Sequence, residues 1–161
     1  MSLYSRRTLL ALPLLLAACG FSPVYGPQGA GTALQGQVLV QEPSTQAGYL
    51  LTRQLETRLG RAGSAAAYAL DLEIALGEDS LAINTAGDIT RFNLTGSAAY
   101  ALRDTSAGTI ITSGTVENFT AYSAAGTTIA TLAAEQDAVE RLMVILADQI
   151  TSRLFVLDLA P

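Results

Sequence analysis

Leu51, Leu55 and Leu59 stand four residues apart in AGYLLTRQLETRLGRA, residues 47–62, while Arg53, Glu56 and Arg58 fall elsewhere around the turn. One apolar stripe at that spacing predicts an amphipathic helix. The period then changes to two. In AYALDLEIAL, residues 67–76, Tyr68, Leu70, Leu72, Ile74 and Leu76 lie on one side and Asp71 and Glu73 on the other, which predicts a strand buried on one face. TRFNLTGSAAYALR, residues 90–103, repeats the pattern: Phe92, Leu94, Ala98, Tyr100 and Leu102 share a face, and Arg91, Asn93, Thr95, Ser97 and Arg103 share the other. Between these two strands Glu78 and Asp79 read as a solvated turn. A short connection around Asp104 and Gly108 leads into TIITSGTVENFTAY, residues 109–122, so this third strand is expected to pair with its predecessor as an antiparallel hairpin.

After Gly126 the helical spacing returns. Val139, Leu142, Met143, Leu146, Ile150 and Leu154 form one stripe in residues 129–156, which reads as a long final helix whose stripe belongs to the core. Asp137 and Arg141 on it make an i,i+4 pair worth ~0.3 kcal/mol. At the other end LQGQVLVQ, residues 34–41, alternates enough for a first strand. The order strand, helix, three strands, helix predicts an α+β two-layer sandwich: a mostly antiparallel sheet of about four strands covered on one face by two helices. Four of the five prolines lie at or before Pro43 and the fifth is Pro161, which places the folded body in residues 34–161. Residues 19–33, with Pro23, Pro27, Gly26, Gly29 and Gly31, read as a tether.

Residues 1–18 have a different organisation. Arg6 and Arg7 precede Leu9–Ala18, a ten-residue apolar run broken only by Pro13. As helix it rises ~15 Å, about half a bilayer core, so it reads as the apolar region of a secretory signal and not as a span. The two arginines are compatible with both Sec and twin-arginine export. The run ends in Leu16, Ala17, Ala18 and Cys19, which resembles the lipobox of bacterial lipoproteins. That resemblance implies lipidation of the Cys19 thiol, cleavage before it and acylation of the new amine, with several acyl chains anchoring where one would not. Gly20, where an aspartate commonly marks inner-membrane retention, implies sorting to the outer membrane of a Gram-negative cell.

Composition narrows the chemistry. The chain has no histidine, lysine or tryptophan, and Cys19 is its only cysteine, so an internal disulfide is excluded. Serine–histidine, cysteine–histidine and most zinc chemistries are excluded with it. Acidic residues stand mostly singly, and the glycines between Gly20 and Gly48 do not form a phosphate cradle. The reading is a non-enzyme with no cofactor and no metal site. Beyond residue 18, seven arginines face fourteen carboxylates, which argues against nucleic acid.

Taken together, CGFSPVYG (19–26), RLGRA (58–62), TRFNLTG (90–96), AAYALRD (98–104) and above all AAEQDAVERLMVILADQITSRL (133–154) resemble the LptE family of lipopolysaccharide-assembly lipoproteins. The resemblance implies a two-layer domain seated as a plug in the LptD-type outer-membrane β-barrel, assisting barrel assembly and contacting lipopolysaccharide without turnover. It makes Arg91 the first candidate for pairing with a lipopolysaccharide phosphate, and Arg103, on the same predicted face, the second. Each is equally well read as a solvated strand arginine. A polar face of Asn93, Thr95, Ser97, Thr112, Ser113 and Thr115 suits a wet barrel interior or plain solvent. The runner-up is an auxiliary lipoprotein of an ABC-type intermembrane lipid transport system.

Overall fold

Even-numbered positions of three long strands face the helices, and odd-numbered positions face away, as the period of two requires. The computed structural model of the chain describes residues 24–26, 29–83, 85, 89–124 and 126–159. The expected signal segment, residues 1–18, and Cys19 lie outside them. The elements are α1 (Ala30–Leu34), β1 (Val38–Val40), α2 (Gln46–Leu59), β2 (Tyr68–Ile83), β3 (Ile89–Asp104), β4 (Ile110–Ser123) and α3 (Thr128–Leu154). The strands form one sheet in the order β1-β2-β3-β4, parallel only between β1 and β2 and antiparallel elsewhere. The α+β sandwich expected from the sequence is the fold observed.

Each of the two long helices begins where a side chain satisfies an otherwise unpaired backbone donor. Gly48 N donates to Thr45 Oγ1 at 3.0 Å and Ala130 N to Thr127 Oγ1 at 3.2 Å, so both long helices carry a threonine N-cap. α2 ends at Gly60, whose φ of 77° favours glycine, and there Leu59 O accepts from Gly36 N at 2.7 Å. Leu51, Leu55 and Leu59 of α2 and Leu142, Met143, Leu146, Ile150 and Leu154 of α3 are fully buried against Leu70, Ala98, Leu102 and Val116 of the sheet. The two helices run parallel to each other, tied on their outer side by Arg53–Glu140 and Arg58–Asp148, both at 2.6 Å. The expected Asp137–Arg141 pair is present at 2.9 Å. These are solvent-exposed pairs and contribute little beside the leucine layer.

Three sequence expectations are corrected. Residues 34–41 are not one strand: the alternation is real only over Val38–Val40, because Ala30–Leu34 closes as a short helix that buries Ala30 and Leu34 in the core. Part of the expected tether is thus docked, and among the described residues the helices number three. Glu78 and Asp79 are not in a turn, since β2 continues unbroken past them to Ile83. Thr112 does not share the polar face, because its even position, paired with Leu102 in the regular register, puts it on the helix side, opposite to Ser113 and Thr115. The hairpin between β3 and β4 forms as expected. Its turn is organised by the Asp104 carboxylate, which accepts from Ser106 N, Ser106 Oγ and Ala107 N and is held below the usual carboxylate range by those bonds.

β4 is a long edge strand, and the neighbouring helix guards it. The Arg153 guanidinium of α3 donates to Thr115 O at 2.7 Å and that of Arg141 to Ala121 O at 3.4 Å, while Asn118 Oδ1 accepts from Phe119 N at 2.8 Å. Outward carbonyls and an outward N–H that would otherwise recruit another strand are thereby occupied. Replacing Arg141 and Arg153 together by alanine is expected to lower folding stability by only about 1 kcal/mol while promoting self-association. Chemical denaturation alongside light scattering on concentration checks both parts.

Candidate functional interface

With α2 and α3 on one side, the odd-numbered face of β2, β3 and β4 is left open. Its centre is built from small side chains: Ala75 and Gly77 on β2, Thr95, Ser97, Ala99 and Ala101 on β3, and Ser113 and Thr115 on β4. Their low bulk leaves a shallow trough of about 600 Å³ between Ala75, Gly77, Thr95, Ser97, Glu117 and Phe119. Phe119, 64% exposed, is the large apolar side chain at its rim. Four carboxylates, Asp71, Glu73, Asp79 and Glu117, occupy the same face against the two guanidiniums of Arg91 and Arg103. The face is polar and net acidic.

Parity does put Arg91 and Arg103 on this one face, but twelve residues of strand separate them, a distance of about 40 Å. They are not brought together. Arg103 is engaged within the sheet, donating to Asp71 Oδ2 at 3.1 Å across the β2–β3 pair and to Gly108 O at 3.2 Å in the hairpin turn. Its donors serve the fold. Arg91 is exposed near the opposite end of β3, opposite Ser123 of β4. Asn93, Thr95, Ser97, Ser113 and Thr115 lie on the open face as expected.

Sequence reasoning missed one cluster, on the helix side of the same strands. Phe92 and Tyr122 stack with ring centroids 5.2 Å apart and planes 17° from parallel, and the Tyr122 hydroxyl donates to Glu78 Oε2 at 2.8 Å. A signal was available in the inward parity of all three positions, but it was hidden by reading Glu78 as a turn. Burial first, then the Glu78 hydrogen bond and the negative charges of Glu78 and Glu135, push the Tyr122 phenol up to about 12. The group therefore stays a protonated donor at neutral pH. Among the described residues, no three His, Cys, Asp or Glu side chains gather as metal ligands, and no helix is long and apolar enough to cross a membrane.

Comparison with known proteins yields a family model, LptE: Lipopolysaccharide-assembly, which matches residues 36–154. Among solved structures, one from Caulobacter crescentus described as a candidate lipoprotein is 28% identical, with a TM-score of 0.66 over 78% of this chain and 91% of that one. A minor lipoprotein from Acinetobacter baumannii is 21% identical, with a TM-score of 0.58 over 75% of this chain and 92% of the other. The rare lipoprotein B from Shewanella oneidensis shares the fold at 15% identity, with a TM-score of 0.53 over 73% of this chain and 91% of its own. No curated protein sequence matches the chain.

The raised Tyr122 pKa carries a sign. The folded phenol binds its proton more tightly than the unfolded one, near 10, so its contribution to stability is complete below about pH 10 and is lost as pH rises through about 12. Ultraviolet titration is expected to show a tyrosine step near pH 12, and Tyr122→Phe is expected to remove that step and flatten the alkaline loss of stability.

Proposed function

The chain belongs to the LptE family of lipopolysaccharide-assembly proteins, and from that premise we propose that it is a non-catalytic lipoprotein, anchored in the outer membrane through Cys19, that plugs an LptD-type β-barrel and assists lipopolysaccharide delivery. The observation that carries the plug reading is the division of the sheet into a face sealed by leucines and an open face of small, polar side chains. A protein lodged in a wet barrel lumen must satisfy water and polar lumen side chains on the surface it presents, and small residues let it approach the wall closely. Guarding of the β4 edge supports the same reading, since a plug must lie beside barrel strands without being drawn into their ladder.

Contact with lipopolysaccharide is assigned to Arg91 alone. It is exposed, and its planar fork of donors suits a phosphate, whereas the guanidinium of Arg103 is already directed at Asp71 and Gly108. The acidic open face argues for a local phosphate contact and against a broad basic surface. The family match favours this reading over the ABC-type auxiliary lipoprotein.

Gentle detergent extraction of the full-length protein from its own membranes, with mass spectrometry and lipopolysaccharide assay of the purified complex, tests the proposal. A large outer-membrane barrel is expected at near-equal stoichiometry, and Arg91→Ala is expected to lower retained lipopolysaccharide several-fold with the barrel still bound. Arg103→Ala should leave retention unchanged. Recovery of lipid-transport components, or of nothing stoichiometric, would overturn the plug reading.

A further inference from the structure

Val24 and Tyr25, five and six residues beyond Cys19, are docked on the domain. Val24 O accepts from Gly31 N at 3.0 Å, at a position where a Cβ on residue 31 would come within 2.8 Å of Val24 Cγ1, so the absence of a side chain at Gly31 lets the incoming chain lie against α1. Tyr25 then packs edge-on against Phe155, just past the end of α3, with ring centroids 5.6 Å apart and planes at 71°. These contacts fix where the N-terminal segment leaves the domain. Cys19 precedes Val24 by five residues, so its Cα stays within about 18 Å of that of Val24 however the intervening chain runs.

The same corner exposes apolar side chains that the core does not use. Val156, next to Phe155, is 82% exposed, Tyr25 is 64% exposed, and Val24 adjoins them through the chain. Ile110 and Ile111, also exposed, begin β4 at this end, because α3 runs antiparallel to β4 with Arg153 at Thr115 and Arg141 at Ala121. We infer that Val24, Tyr25 and Val156 form a membrane-contact knob, seated in the lipid surface that holds the acylated Cys19, so that the domain stands on its α3 C-terminal end. The inference rests on lipidation of Cys19.

The occupant follows from geometry. A covalent anchor within about 18 Å keeps this corner at the bilayer surface, and a tyrosine flanked by exposed aliphatics has the amphipathic character suited to the headgroup boundary. An anchored domain with no second contact would pivot freely. Seating the knob fixes the 27-residue α3 by its C-terminal end, which sets its opposite end, with Arg91 and Ser123 at the same end of the sheet, about 39 Å from the knob, and in the plug reading that end points into the barrel lumen.

The absence of tryptophan from the chain allows a direct test. Val156→Trp and Ile129→Trp place a single indole at opposite ends of α3, each at a position 82% exposed in the native chain. Both variants are purified in the full-length lipidated form and incorporated into phosphatidylethanolamine–phosphatidylglycerol vesicles with and without brominated phosphatidylcholine. The acyl mass on the Cys19 peptide is measured in parallel. Val156→Trp is expected to emit at shorter wavelength and to lose most of its intensity with brominated lipid, and Ile129→Trp to do neither. Acylated protein in which Val156→Trp is unquenched, or in which both probes are quenched alike, overturns the knob while leaving lipidation intact. A shift to shorter wavelength without bromine quenching also overturns it, since a protein surface would then be the cover. A Cys19 peptide without acyl mass removes the premise itself, and the knob falls with it.

Discussion

The structure depends on burying one face of the three antiparallel strands β2, β3 and β4 of the sheet under two parallel helices. Leu51, Leu55 and Leu59 of α2 and Leu142, Leu146, Ile150 and Leu154 of α3 exclude water from that face, and each fully buried leucine contributes about 2 kcal/mol through loss of apolar surface to solvent. With no cysteine available for an internal disulfide, this layer has no covalent substitute. The helix-to-helix ion pairs decorate its outer side.

One-sided burial has functional consequences because it leaves a complete sheet face for other purposes. That face is not built as a second core surface: Ala75, Gly77, Thr95, Ser97, Ala99 and Ala101 are too small and too polar to hold a further layer of helices. A member of the LptE family thus combines one sheet face sealed by helices with one shallow polar face left open. The edges are managed separately. β1, only three residues long, ends one side of the sheet, and Arg141, Arg153 and Asn118 occupy backbone groups on the other.

The candidate site was only partly legible in the sequence. Alternation correctly put Arg91 and Arg103 on one face, because side-chain parity survives any regular strand. It could not show that Asp71 would reach Arg103, since that contact depends on the β2–β3 register, in which Ala69 pairs with Arg103 and Asp71 lies diagonally opposite. Thr112 was misplaced against the parity itself, since its even position pairs with Leu102 in the regular register and faces the helices, opposite to Ser113 and Thr115. Glu78 and Asp79 looked like a turn because paired carboxylates favour solvent. The Tyr122 hydroxyl, unseen from local pattern, gives Glu78 a partner on the helix side.

By itself the sequence determined the order and type of the long elements, the inward face of each, and the exclusion of nucleophilic and histidine chemistry, since these follow from local periodicity and from which side chains exist at all. Tertiary structure alone decided what happens between distant segments. It folded Ala30–Leu34 into the core, wrapped arginines of α3 around the β4 edge, and brought Tyr25 against Phe155 so that the N-terminal segment leaves the domain beside the end of α3. These are contacts across twenty or more residues of chain, whose existence depends on packing and register and leaves no periodic trace in either partner.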